Sequence, residues 1–187
     1  MIRHYSAIVV AYFTGKFHIR DIRFHENPKM KHGIPMELDL IDRKILRVLQ
    51  RDGRVQNAIL ANAVGLSPSP CLRRVRLLEE SGIIDRYAAL LNPAAVGLGF
   101  TVFVRVTLDR QDKVSVEHFA SEIMKSDNVL ECYLMSGSYD YLLRVVVADL
   151  DDYQRFQMEE LTVINGVRHV HTEIPLKKIK ATSEFPI

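Results

Sequence analysis

"LSPSPCLRRVRLLEESG", Leu66–Gly82, sets two prolines ahead of a helix-period apolar pattern crowded with arginine, although proline is the residue a helix interior tolerates least. The conflict disappears if Ser67 is the N-cap. Pro68 then falls at the first helical position and Pro70 at the third, where a backbone N–H has no intrahelical acceptor and proline gives up nothing. At about 100° per residue, Cys71, Leu72, Val75 and Leu78 gather on one side of the predicted helix. Ser69, Arg73, Arg76 and Glu80 fall on the other, with Arg74 near the edge. An apolar packing face therefore backs a mostly cationic one, and Cys71 reads as small core filler.

Two further helices are expected ahead of it. "LDLIDRKILRVLQRDG" puts Ile41, Ile45, Val48 and Leu49 on one face, with Asp39 as N-cap and Gly53 past the end. "VQNAILANAVGLS" reads as a short helix opened by Asn57, a capping residue type, and stopped by Gly65. Two short helices joined by a tight glycine-containing turn are the signature of a helix-turn-helix. The third, basic helix is then the one that enters a major groove of double-stranded DNA. Ser67 and Ser69, with the helix N-terminal amides, would hold phosphate, and Arg73 and Arg76 would reach phosphate or the O6/N7 edge of guanine. The expected DNA-facing set is Asn57, Ser67, Pro68, Ser69, Arg73, Arg74 and Arg76.

Beyond Gly82, the alternating run "IIDRYAALL" is expected to form a strand or hairpin wing, ended by Asn92-Pro93. "NPAAVGLG" reads as a hinge. The remainder alternates between strand and helix periods: "FTVFVRVTL", "KVSVEHFASEIMKS", "VLECYLMSG", "YDYLLRVVVADL", "DDYQRFQMEELTVI", "VRHVHTEIPLKKI". This is βαββαβ, the ferredoxin-like split unit. The fold class is α+β, a winged helix-turn-helix domain over residues 36–99 followed by a ferredoxin-like domain over 100–187.

Charge follows the same division. Of the 187 residues, 48% are apolar and 26% charged, with a net charge of +2, an ordinary globular balance. Residues 1–35 carry six Lys/Arg against two Asp/Glu, residues 36–91 nine against seven, and residues 92–187 ten against fourteen. A basic front and an acidic back point to modules with different partners. Two cysteines make neither a disulfide framework nor a four-cysteine zinc site, so a reducing, cytoplasmic setting fits. The apolar run "AIVVAYF" is far short of the roughly 20 residues of a membrane helix, and no membrane partner is expected. Residues 1–35 are expected to be an extension ahead of the true start at Met36, or else a basic arm adding nonspecific DNA affinity.

"LDLIDRKILRVLQRDGR", "GLSPSPCLRRVRLLEESGII" and "YLMSGSYDYLLRVVV" together resemble the leucine-responsive/AsnC family of transcription regulators, in order and spacing from about Leu38 to Thr182. The resemblance implies a winged helix-turn-helix joined to an amino-acid-sensing βαββαβ domain, and homodimers that assemble into higher homo-oligomers. It further implies a small amino-acid effector near an "SGDxDY"-like turn at a dimer–dimer interface, here Ser136, Gly137, Ser138, Tyr139, Asp140 and Tyr141. Asp140 and the backbone amides would answer the ammonium and carboxylate of that effector. Ser138 stands where many relatives have aspartate, which leaves the effector's identity open. Read without the resemblance, the segment is an ordinary hairpin turn, with Gly137 serving only a positive φ and the tyrosines packing.

His169, His171 and Glu173 alternate along the last strand and share one face, a geometry open to a metal but commoner in a packed interface, so no metal and no cofactor other than the effector is expected. Asp149, Asp151 and Asp152 read as helix N-terminal charges. No phosphate-cradling glycine loop, nucleophile elbow or metalloprotease helix appears, and the chain is not expected to be an enzyme. Two alternatives stay in view: an architectural DNA-binding protein without effector, and a siroheme-decarboxylase-like enzyme, since those enzymes resemble the family in both domains and use basic and histidine residues such as His169 and His171.

Overall fold

The first helix begins where the sequence supplies a cap. In the computed structural model, which describes residues 37–187, one Asp39 oxygen accepts from the amides of Ile41 and Asp42 at 2.8 Å. The Asp42 carboxylate accepts from the Asp39 amide at 3.2 Å, closing a capping box that opens α1 (Leu40–Arg51). The expectations for residues 1–35 and for a start at Met36 lie outside the described residues.

α2 (Asn57–Val64) is capped by Gln56 rather than by Asn57, and Gln56 contributes no side-chain bond. Its end is sharper. Gly65 takes φ 76°, and the Leu66 amide donates back to the Ala61 carbonyl at 2.8 Å, a left-handed turn that penalises any residue with a Cβ. α3 (Pro68–Glu80) follows, with Ser67 in the extended cap conformation. Ile45, Leu46, Leu60, Ala61, Val64, Cys71 and Leu78 interlock as the core of this unit. Burial pushes the Cys71 thiol above its ordinary pKa, consistent with a filler and not a reactive thiolate. Leu72, expected on the packing face, is 40% exposed.

One arginine of α3 faces inward. Arg74 Nη1 donates to Asp42 Oδ1 at 2.8 Å and to Asp39 Oδ2 at 2.7 Å, so the capping box of α1 doubles as a clamp on α3. Asp42, only 6% exposed, is one of the two buried charged residues among those described, and Arg74 is what satisfies it.

The strand expected over "IIDRYAALL" is a correction. Residues 85–91 form no strand among the described residues, because no neighbouring strand offers a ladder. The segment is tethered instead by Tyr87, whose hydroxyl donates to Glu79 Oε1 at 3.0 Å. Burial first, then Glu79, push the Tyr87 pKa up to about 12. Gly53 is where that ring passes: a Cβ there would sit 3.1 Å from Tyr87 Cδ1.

The described residues form two units, 37–90 with Ile179–Ile187, and Leu91–Lys178. The last nine residues, Ile179–Ile187, pack with the helical unit. Gln50 Nε2 donates to the Phe185 carbonyl at 3.3 Å, Arg51 pairs with Glu184 at 3.1 Å, and Arg47 donates to the Ile187 carbonyl. Ile187 packs against the helical core.

The second unit contains β1 (Phe100–Leu108), α4 (Lys113–Ile123), β2 (Val129–Leu134), β3 (Tyr141–Val147), α5 (Leu150–Arg155) and β4 (Val167–Glu173). The strands form one sheet in the order β2-β3-β1-β4, each neighbouring pair antiparallel, which is the ferredoxin-like arrangement. Alternation buries Val102, Val104, Val106 and Leu108 of β1 with Tyr141, Leu143, Val145 and Val147 of β3 against Phe119, Phe156 and Leu161. α5 does not continue as the single α-helix expected. Phe156–Leu161 is a π-helical turn, and i→i+5 bonding turns positions five apart toward one side, where Phe156 and Leu161 are both buried. The hinge residues Ala94–Val96 form a 3₁₀ turn closed by Gly97 at φ 77°.

Replacing Arg74 by alanine strands the Asp42 carboxylate and is expected to lower the stability of the helical unit by about 1–3 kcal/mol, read as a lowered urea midpoint. Acid acts on the same clamp. The amide of Asp42, and then the Arg74 guanidinium, hold the Asp39 carboxyl below the usual carboxylate range. A lowered folded-state value means the contribution is fully present above the unfolded value of about 3.9 and is lost as pH falls through the folded one. The urea midpoint of the helical unit should fall below about pH 4, and Asp39→Ala should flatten that dependence.

Candidate functional site

Two faces carry the chemistry. On α3, Ser67, Pro68, Ser69, Arg73 and Arg76 are all exposed, and among the described residues neither Arg73 nor Arg76 has an ion-pair partner. Arg74 differs, being held by Asp39 and Asp42. Those carboxylates raise its pKa further above the ordinary arginine value, so its charge is spent inside the unit and not on the outer face.

The leading end of α3 is poorer in donors than expected. Ser67 makes no side-chain capping bond, and the Cys71 amide already donates to the Ser67 carbonyl at 3.3 Å. With proline at positions 68 and 70, Ser69 supplies the one orphan N–H of the first helical turn. An anion there would meet hydroxyls and a single amide rather than a cradle of amides. Asn57 is also reassigned: its Nδ2 donates to the Pro68 carbonyl at 2.8 Å, and its Oδ1 is buried. It fixes the start of α3 against α2 and does not project outward.

The second face surrounds the loop from Met135 to Asp140 that joins β2 to β3. The Met135 amide donates to the Asp140 carbonyl at 2.8 Å, closing a six-residue loop rather than a two-residue hairpin turn. Ser136, Gly137 and Ser138 are exposed. Gly137 takes φ 157°, and a Cβ placed there would meet nothing within 4 Å, so a ligand can approach its backbone closely. Tyr139 is half-buried, its ring centroid 5.4 Å from Arg105 Cζ.

Asp140 is buried rather than open to solvent. It is 3% exposed; Oδ2 accepts from the Leu108 amide and Oδ1 from Gln111 Nε2, both at 2.7 Å. Its own amide donates to the Val106 carbonyl at 2.9 Å. A buried carboxylate so held fastens the loop to the end of β1.

Beside the loop, a pocket of about 180 Å³ is lined by Arg105, Thr107, Ser138, Tyr139, His169 and His171. The β1–β4 register makes it: Arg105 pairs with His171 and Thr107 with His169, so all four side chains leave the same sheet face. The shared face of His169, His171 and Glu173 is as expected. Arg105 went unnoticed in the sequence because only the strand pairing brings it beside those histidines.

Comparisons with known proteins cover both units. Residues 38–85 match the winged helix-turn-helix DNA-binding family model, and residues 101–185 match the Lrp/AsnC ligand-binding domain model. The leucine-responsive regulatory protein of Escherichia coli is 42% identical over 151 residues, covering 81% of this chain and 92% of that protein. Among solved structures, a transcriptional regulator of Neisseria meningitidis in complex with L-methionine superposes with a TM-score of 0.77 at 43% identity, over 80% of this chain and 97% of that one. An AsnC family regulator from Agrobacterium tumefaciens gives 0.76 at 41%, over 80% and 97%. A feast or famine regulatory protein from M. tuberculosis complexed with L-methionine gives 0.71 at 32%, over 80% and 99%.

If Asp140 is an anchor, Asp140→Ala should lower the stability of the sheet unit by about 1–3 kcal/mol by orphaning the Leu108 amide. The measurement is a thermal melt made without ligand, where a residue that only contacts ligand would leave the midpoint unchanged.

Proposed function

The chain belongs to the Lrp/AsnC family of transcription regulators, with a DNA-binding winged helix-turn-helix and an Lrp/AsnC ligand-binding domain, and on that premise we propose that it reads a specific DNA sequence through Arg73 and Arg76 under control of a small amino acid. The observation that carries this reading is the division of α3: Arg74 is consumed by Asp39 and Asp42, while Arg73 and Arg76 stand exposed on the face opposite the core. In a major groove those two meet phosphate oxygens or the O6/N7 edge of guanine. Ser67, Pro68 and Ser69 form the leading edge against the DNA backbone, and Asn57 and Arg74 hold the helix at its working angle.

The protein works as a homodimer in the cytoplasm, its two copies of α3 entering successive major grooves about one helical turn apart. The amino acid binds around Ser136, Gly137, Ser138 and Tyr139. The L-methionine complexes of the N. meningitidis and M. tuberculosis relatives support a free amino acid as the effector class. The ligand acts by population shift: it binds one assembly of dimers better than another, and so changes the number and spacing of DNA-reading heads.

Arg73→Ala with Arg76→Ala should weaken operator binding by about tenfold or more and reduce the slope of log K against log salt by about 2, followed by fluorescence anisotropy across a salt series. Unchanged affinity and slope in the folded double variant would remove these two residues from the DNA face.

A further inference from the structure

One apolar side chain in the first half of α3 has no place in the core. The helix gives Cys71 and Leu78 to the buried cluster and packs Val75 against it. Leu72 is 40% exposed and is not among the described residues that pack on that cluster.

Its position gives the exposure a use. Leu72 lies one turn after Ser69, one turn before Arg76 and next to Arg73, and all three of those residues are exposed. Helical residues three and four apart cover adjoining surface, so a groove that receives Ser69 and Arg76 also receives the isobutyl group between them. In a helix-turn-helix the N-terminal residues of the recognition helix meet the base edges. Leu72 is the fifth residue of α3 and falls in that part. Leu77, also exposed at 44%, lies more than a turn further on and on the opposite flank of the cationic face.

The major groove presents an apolar group on only one base, the C5-methyl of thymine. Against the polar edges of guanine, adenine or cytosine, a leucine would displace water and return no hydrogen bond. Against the thymine methyl it removes apolar surface from water on both partners. Arginine cannot supply this readout, because its donors select guanine or phosphate.

We propose that Leu72 is a specificity-determining residue that reads the C5-methyl of a thymine beside the contacts of Arg73 and Arg76. The inference rests on the DNA-facing reading of α3 above and adds a base that neither arginine selects.

The test uses the full chain on an operator selected from random duplex DNA, with its thymines replaced one at a time by uracil. Uracil lacks the C5-methyl and keeps every hydrogen-bonding group of thymine. One position per half-site should lose binding about fourfold, the scale of one apolar carbon taken out of contact. Leu72→Ala should bind the thymine and uracil operators equally, with the slope of log K against log salt unchanged because no charge is lost. Leu72→Gln should also lose the thymine preference, and provides the test if the alanine variant does not fold. Leu72→Met, apolar and of similar size, should retain the preference, as should Leu77→Ala. An operator with no fixed A·T pair, the absence of any uracil-sensitive position, or a uracil penalty that persists in the folded Leu72→Ala and Leu72→Gln variants overturns the assignment. The salt slope of the Arg73→Ala, Arg76→Ala double variant reports the underlying face separately. Uracil sensitivity that depends on Leu72 while that slope stays at the wild-type value supports the leucine and overturns the arginines; loss of neither overturns both.

Discussion

The bond from Arg74 to Asp39 and Asp42 is the constraint on which the DNA-reading unit depends. A helix such as α3 has three arginines within four residues, and sequence alone cannot decide which way such a helix is rolled. The clamp decides it. Asp42 is nearly buried and needs a cation; Arg74 supplies one, and α3 is thereby rotated so that Arg73 and Arg76 face out. The same carboxylates open α1 through the capping box, so the origin of the first helix and the roll of the third are set by a single cluster. Asn57 adds a second restraint by bonding the Pro68 carbonyl. The two prolines then act on donors as well as on the helix start: they leave Ser69 as the one amide of the first turn open to an anion.

Asp140 plays the corresponding part in the sheet unit. Its oxygens receive the Leu108 amide and Gln111, so a loop that is exposed over Ser136, Gly137 and Ser138 ends on a buried anchor. A site assembled this way has one rigid side, formed by β1 and β4, and one side that a ligand can approach through backbone with no Cβ in the way. Placing polar side chains on the rigid strands favours precise geometry over adaptability.

What the sequence made legible follows from periodicity. The three helices, the βαββαβ order, the span of β1 and the shared face of His169 and His171 all depend on neighbours in the chain, and each was readable from spacing. What failed depends on contacts distant in sequence. Leu72 sits on the right side of a helical wheel, but it stays 40% exposed among the described residues. The 85–91 run alternates like a strand, but pairing requires a partner that the residue pattern does not disclose. Asp140 reads as a free carboxylate until the end of β1 is brought to it. Arg105 acquires its meaning only from the β1–β4 register. The contacts of the last nine residues were likewise not readable: the bonds of Glu184, Phe185 and Ile187 with α1 join partners more than 130 positions apart.

The two units have separate cores, one built on Ile45, Leu60, Cys71 and Leu78 and the other on the β1 and β3 valines with Phe119 and Phe156. Separate cores bear on how a ligand can act. Each unit is stabilised by its own burial, so ligand at the sheet unit does not need to reshape the helical core for DNA binding to respond. In the proposed mechanism it needs only a difference in affinity between two assemblies, and about 1.4 kcal/mol of difference per site already changes their ratio tenfold.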